Sequence, residues 1–172
     1  MPRVCRSAAA GRYYQGVTQV PETEADFDRM SWDGCRIWKL EISAGDGDGA
    51  GDLVLGLDLI ADALCGFNRE ARFKLAPAAL TFHAVTDLKV GLDCGDSGHL
   101  LMVQPLSIAG ISRAPTASAS YYAWRIRLGW PRGGEIAFGA SGYTQVLLAE
   151  PIISESNFLS AAQRRRMLGS PG

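Results

Sequence analysis

Apolar and polar residues alternate along most of the chain from residue 35 onward. Leu53, Leu55, Leu57 and Leu59 occupy every second position, and Asp58 falls between the last two. An alternation of period two is typical of a strand with one buried face. The pattern therefore predicts a strand whose leucine side faces the interior, with Asp58 on the opposite side.

The preceding run, residues 35–42, has the same period. Trp38, Leu40 and Ile42 fall on one side of it, and Lys39 and Glu41 fall on the other. Residues 46–52 consist of Asp, Gly and Ala, a composition that favours a loop. The two runs are therefore predicted to form a hairpin with a long polar tip.

The most regular alternation lies in residues 121–130, and it has a heavily aromatic face. That face comprises Tyr122, Trp124, Ile126, Leu128 and Trp130. Residues 135–140 form the next predicted strand. A three-residue loop between the strands pairs Leu128 with Ile136 and gives Gly133 the position that needs a left-handed backbone.

Further short alternations bring the total to about nine strands. They lie around residues 73–75, 80–84, 88–92, 100–103, 106–113 and 143–149. Ser160 and Gln163 have the spacing of a capping box, which predicts one short helix near the C-terminus. The predicted class is mainly β (all-β or α+β), with an antiparallel β-sandwich or curled sheet of short strands and a short C-terminal helix.

The 172 residues are enough for one domain with a sizeable core. Residues 1–30 lack a clear period and are predicted to be an N-terminal arm or lead-in. Residues 31–172 are predicted to form a single β-rich domain.

Charge and cysteine content narrow the function classes. The net charge of −1 argues against nucleic acid as a partner, because phosphate contacts normally require a basic excess. No apolar stretch is long enough for a membrane helix, so no membrane role is expected. The four cysteines include no CxxC pair, which fits reduced thiols and a cytoplasmic location. No cofactor fingerprint is present, so no cofactor is predicted.

One set of residues could bind a ligand or metal. His83, Asp93, Asp96 and His99 include both histidines of the chain, and three of them surround one predicted turn. Imidazole and carboxylate groups are common metal ligands and general acid–base groups. The alternative interpretation is a polar loop together with one histidine on the outward side of a strand.

A second set could bind a partner protein. Tyr121, Arg125 and Arg127 lie on the face of residues 121–130 opposite the aromatic side chains. Tyrosine and arginine are enriched in protein interfaces. The alternative is a solvated charged face whose arginines pair with cross-strand acids such as Glu135.

Three stretches of the chain carry a resemblance to known families. They are Ser31-Trp32-Asp33-Gly34-Cys35-Arg36-Ile37, then residues 75–82 with 85–90, and finally residues 133–138 with 142–145. Over residues 30–165 the pattern resembles small bacterial families of unknown function, some of them similar in outline to the immunity protein 50 group. The resemblance implies a cytosolic protein that binds and blocks a toxin, and it assigns no functional residue.

The sequence thus favours a protein that acts by protein–protein binding and is not an enzyme. The alternative is a small enzyme or a ligand- or metal-binding protein that uses His83, Asp93, Asp96 and His99. Self-association is a third hypothesis, in which an edge strand such as residues 143–149 pairs across a homodimer.

Overall fold

The structure, a computed structural model, describes residues 22–44, 51–65, 71–93, 104–118 and 120–169. Nine strands and two short helices are present in these ranges. The strands are β1 (Glu22–Thr23), β2 (Arg36–Ala44), β3 (Gly51–Cys65), β4 (Ala71–Gly91), β5 (Leu106–Pro115), β6 (Tyr122–Trp130), β7 (Glu135–Ala140), β8 (Gly142–Leu147) and β9 (Ile152–Ser154). A 3-10 helix spans Glu24–Arg29, and helix α1 spans Ala161–Met167.

All nine strands belong to one antiparallel sheet. The hydrogen-bonded order is β1-β8-β4-β3-β2-β5-β6-β7, and β9 is paired with β4. A further pairing joins β7 to β4, so six of the strands, β4-β3-β2-β5-β6-β7, form a closed ring. The predicted mainly β class, in its curled-sheet form, is confirmed.

The interior of the ring is filled by the alternating apolar residues of the strands. Leu53, Leu55 and Leu57 are fully buried, as their period predicts. Aromatic rings dominate one region, where Phe82 and Tyr143 both lie near Trp124 with centroid distances of 5.0 and 5.8 Å. These tilted or edge-on contacts are the geometry that aromatic pairs prefer.

Residues before the predicted start of the domain also contribute to this core. In the 3-10 helix, the ring of Phe27 lies 5.6 Å from that of Trp32 and 5.3 Å from that of Trp124. The guanidinium of Arg113 lies 4.5 Å above the Phe27 ring. Of the predicted lead-in, residues 1–30, those before Glu22 lie outside the described residues.

Strand β4 is much longer than any strand that the sequence predicts. The alternations around residues 73–75, 80–84 and 88–92 form one continuous strand, Ala71–Gly91. Its residues 78–83 pair with β8, whereas residues 86–91 pair with β7. Ala84 and Asp87, which lie where the partner changes, both have φ of 52°. With β9 at residues 73–75, the single strand thus pairs with three neighbours in succession.

A bulge in β2 changes the side that Trp38 faces. The register with β3 shifts between Ile37 and Lys39. Ile37 is buried in the core, and the Trp38 ring lies on the outer face of the sheet against Gly56. A Cβ at position 56 would lie 2.8 Å from that ring, so the close approach requires glycine. Trp38 therefore does not share a face with Leu40 and Ile42 as the alternation predicts.

The β6–β7 hairpin differs from the predicted register by two residues. Ile126 pairs with Ile136 and Trp124 pairs with Phe138, whereas the sequence predicts Leu128 opposite Ile136. The Leu128 amide donates to the Gly134 carbonyl and closes a longer loop. Gly133 has φ of +79°, in agreement with the predicted left-handed backbone. A shift of two keeps every side chain on its own face, so the apolar pattern alone does not distinguish the two registers.

Helix α1 begins at the predicted capping box. The Ser160 hydroxyl accepts a hydrogen bond from the Gln163 amide at 3.1 Å, and the Gln163 side chain accepts one from the Ser160 amide at 2.8 Å. Arg164 extends from the helix to Asp58 of β3 and forms a bidentate ion pair with it. The helix thereby covers part of the outer face of β3.

Candidate functional site

Three polar side chains from different strands form a hydrogen-bonded chain on the outer face of the sheet. His83 of β4 lies between Asp52 of β3 and Thr144 of β8. The His83 Nδ1 atom is 3.1 Å from Asp52 Oδ2, and its Nε2 atom is 2.6 Å from Thr144 Oγ1. We call this set of three the relay.

Exposure differs along the relay. Thr144 is buried, whereas the side chains of His83 and Asp52 are 35% and 24% exposed. Solvent therefore reaches the imidazole ring while the hydroxyl lies deeper in the sheet.

The relay lies beside the segment where β4 changes partner. Asp52 Oδ1 accepts a hydrogen bond of 3.0 Å from the amide of Ala84, the residue with the left-handed backbone. The carbonyl of His83 accepts hydrogen bonds from the amide and the hydroxyl of Ser141 at 3.0 and 3.2 Å. These bonds satisfy backbone groups that the irregular pairing would otherwise leave open, and they fix the position of the ring.

The predicted His/carboxylate set is described only in part. His83 is in β4, and Asp93 is exposed two residues beyond the end of that strand. Asp96 and His99 lie outside the described residues, so that hypothesis stays a prediction. Within the described part of the chain, no group of three or more His, Cys, Asp or Glu side chains could hold a metal ion.

The predicted partner-binding residues lie on the outer face of β6 and beside it. Lys89, Ala137, Arg125 and Ser112 are neighbours in a row that crosses β4, β7, β6 and β5. Arg127 lies in the adjacent row, opposite Glu135. We call Lys89, Arg125 and Arg127 the cationic face.

Glu135, the cross-strand acid expected if this were only a solvated charged face, is present. It forms an ion pair with only one of the two arginines. Arg125 Nε is 3.3 Å from Glu135 Oε2, and the two side chains are 62% and 37% exposed. Arg127 and Lys89 have no ion pair with any described residue. The cationic face therefore carries more positive charge than its own acids balance.

Tyr121 has a local structural role. Its hydroxyl donates to the carbonyl of Ala84 and lies 3.1 Å from Thr86 Oγ1. Its ring covers Gly139, where an added Cβ would lie 2.7 Å from the ring. Because its hydroxyl is engaged by β4, Tyr121 contributes mainly a ring surface beside the cationic face.

Sequence reasoning misses two members of the relay. Asp52 looks like the last residue of a turn-rich loop, and Thr144 looks like an ordinary strand residue. Their separations from His83 are 31 and 61 residues, so only the sheet order brings them together. No local motif marks them.

The comparisons with known proteins yield no match among family models, curated proteins or solved structures. In the ranges that the structure describes, no helix is long and apolar enough to cross a membrane.

Proposed function

We propose that this protein acts by binding another protein and that the cationic face contacts an acidic surface of that partner. The observation that supports the proposal is the excess of exposed positive charge around Arg125 and Arg127. Arginine pairs with carboxylates through a planar fork of donors, which makes it well suited to recognise acidic side chains.

The shape of the surface is favourable to docking. The outer positions next to the arginines are small: Gly110 and Ser112 on β5 and Ala137 on β7. The guanidinium of Arg127 lies across Gly110, where a Cβ would be 3.4 Å from it. The charged groups thus extend over a smooth sheet that a partner can approach closely.

The internal ion pair does not remove Arg125 from this role. An exposed pair such as Arg125–Glu135 contributes roughly 0–1 kcal/mol to stability. A carboxylate of the partner can therefore replace Glu135 at little cost. Complementary charge across the interface would also accelerate association and make its rate sensitive to salt.

The proposal includes a cytoplasmic location and an immunity-like role, in which the bound partner is a toxin that the protein blocks. Cys35 supports the location, because it is a free, buried thiol. Unpaired cysteines are typical of reducing compartments. The immunity-like role is supported by the resemblance over residues 30–165.

The test is affinity capture by three tagged proteins from the cells that naturally express this chain. The first is the wild type, and the second carries Arg125→Glu and Arg127→Glu. The third, Arg165→Glu with Arg166→Glu, makes the same charge change on exposed arginines of α1. A partner recovered in stoichiometric amount is then purified, and its Kd is measured for all three at two salt concentrations.

We expect the cationic-face variant to bind at least about tenfold more weakly, with the loss mostly in the association rate. The α1 variant should bind like the wild type. Equal affinity of all three proteins would exclude the cationic face as the docking surface. Recovery of the bait alone, or as its own dimer, would overturn the proposal of a heterologous protein partner.

A further inference from the structure

We propose that the relay makes the Thr144 hydroxyl a nucleophile toward carboxylic esters, with His83 as its general base and Asp52 as a positioning residue. This activity is separate from the proposed binding function. It uses the outer face of β3, β4 and β8, whereas the cationic face lies on β6 and the end of β4.

The geometry selects one tautomer of the neutral ring. Asp52 Oδ2 is an acceptor, so His83 Nδ1 carries the proton and donates it across 3.1 Å. The unprotonated Nε2 atom then accepts the hydroxyl proton of Thr144 across 2.6 Å. This is the arrangement in which an orienting acid, a base and a hydroxyl nucleophile act together.

Asp52 is itself held in place. Its second oxygen, Oδ1, accepts the Ala84 amide at 3.0 Å, so both oxygens are engaged and the carboxylate has one orientation. The His83 backbone is fixed from the other side by Ser141. A base that is rigidly placed against its nucleophile needs little rearrangement during the reaction.

A donor for the developing oxyanion is present beside the nucleophile. Thr81 of β4 is the direct cross-strand partner of Thr144, and side chains so paired lie about 5 Å apart on one face. Thr81 is half-buried, and its hydroxyl has no hydrogen-bond partner among the described residues. Its O–H can therefore point to a carbonyl oxygen that becomes negatively charged next to Thr144.

The reaction has two balanced halves. As Thr144 Oγ1 bonds to the acyl carbon, its proton passes to His83 Nε2. The bond to the leaving oxygen then breaks, and that oxygen departs with the electron pair and takes the proton from Nε2. Water next attacks the acyl-threonine, and its proton passes through Nε2 to Thr144 Oγ1 as the acyl bond breaks and a carboxylic acid leaves.

The probe for this activity is p-nitrophenyl acetate, a small aryl ester whose leaving group is coloured. The intact chain is treated with the ester, release of p-nitrophenol is followed by absorbance, and the acetylated peptides are located by mass spectrometry. We expect one acetyl group on Thr144. Location on the peptide is decisive, because exposed lysines also react slowly with such esters.

Four variants make the test specific. Thr144→Val has the same shape without the hydroxyl, and it should abolish labelling at that position. His83→Ala should lower the labelling rate of Thr144 by about 100-fold, the usual size of a general-base contribution. Thr144→Ser keeps a hydroxyl at this position and should be labelled there, unlike Thr144→Val. Ser156→Ala removes an exposed hydroxyl from the segment between β9 and α1, away from the relay, and should label like the wild type.

The test of Asp52 must separate its positioning of His83 from any contribution to folding. Asp52→Asn keeps an acceptor for the Ala84 amide but removes the charge next to Nδ1. We expect Thr144 labelling to slow by at least about tenfold while the thermal midpoint stays close to the wild type. The ¹⁵N chemical shifts of the His83 ring should show the loss of a single tautomer.

Two outcomes would overturn the inference. One is acetylation of His83 or of lysines in the folded wild type with none on Thr144. The other is an equal rate of p-nitrophenol release from the wild type and from Thr144→Val, with circular dichroism showing that both are folded.

Discussion

Cys35 shows how strongly a residue's surroundings change its chemistry. It precedes β2 and has no solvent exposure, and its sulfur accepts a hydrogen bond of 3.5 Å from the Ile60 amide. Burial raises the pKa of its thiol from 9.0 to about 11, against a smaller lowering by the Ile60 amide. The charged thiolate is disfavoured because it would lose its hydration. At neutral pH the side chain therefore behaves as a small apolar group.

The raised pKa predicts that Cys35 is unreactive in the folded protein. Iodoacetamide at pH 8 should leave the Cys35 peptide unlabelled in buffer and label it fully in concentrated guanidinium chloride, as read by mass spectrometry. The other cysteines do not interfere, because each peptide is read separately. Rapid labelling of Cys35 in buffer, at the rate seen in denaturant, would contradict the burial.

The same shift links stability to alkaline pH. Above pH 9 the unfolded chain releases the thiol proton more readily than the folded chain, so the unfolded state binds fewer protons. Cys35 should accordingly reduce the free energy of unfolding between pH 9 and about 11. Cys35→Ala should show a weaker decline over this range in urea titrations.

At the scale of elements, the C-terminal helix is held by one buried charge pair. Asp58 has no solvent exposure and accepts bonds of 2.9 and 3.0 Å from Arg164, and a third of 3.1 Å from the Leu159 amide. Arg164 also donates to the Leu159 carbonyl at 2.8 Å. The pair links α1 and the chain before it to the centre of β3.

Removing the arginine should be costly because it leaves the carboxylate buried and uncompensated. We expect Arg164→Met to lower the free energy of unfolding by about 3–5 kcal/mol in urea denaturation. Arg165→Met, on the exposed side of the same helix, should change it by less than about 0.5 kcal/mol.

A double variant separates charge from packing. Asp58→Leu combined with Arg164→Met removes both charges and should recover part of the loss, although the Leu159 amide then lacks its acceptor. If Arg164→Met were as stable as Arg165→Met, the ion pair would not be what anchors the helix.

The sequence predicts elements well where local chemistry decides them. The leucine face of β3, the capping box at Ser160 and the left-handed Gly133 all follow from residue type and spacing. The sequence predicts structure poorly where contacts between residues far apart in the chain determine it. Asp58 falls on the face opposite the leucines as predicted, yet nothing local shows that Arg164 covers that face from a separation of 106 residues.

At the scale of the whole molecule, the closed ring and the strands added to it make the parts mutually dependent. Strand β4 pairs with β3, β7, β8 and β9, and the 3-10 helix places Phe27 in the same core as Trp124. In the described ranges, the main cluster of buried apolar residues has members from every strand between β2 and β8. Unfolding of one part would therefore expose apolar surface both on that part and on the part that stays folded.

This dependence predicts a single cooperative transition. Far-ultraviolet circular dichroism follows the sheet, and tryptophan fluorescence follows four residues, of which Trp32 and Trp124 lie in the core. Their urea unfolding curves should superimpose, with one midpoint and one slope. Separate midpoints would mean that part of the chain unfolds independently.

The candidate site belongs to this scale too, which is why sequence reasoning finds only one of its members. His83 stands out as one of two histidines, and its outward position on a strand is predicted correctly. Asp52 and Thr144 become its neighbours only because β3 and β8 flank β4. A sequence without its strand order does not contain that information.

The partner change within β4 has an evolutionary consequence. A strand that aligns with β8 before Ala84 and with β7 after it cannot gain or lose one residue between those segments. Such an insertion or deletion would move the side chains of one half of the strand to the opposite face of the sheet, because successive side chains point to opposite faces. Proteins built on this plan are expected to vary in length at their connections, while the spacing from Phe82 to Lys89 stays constant.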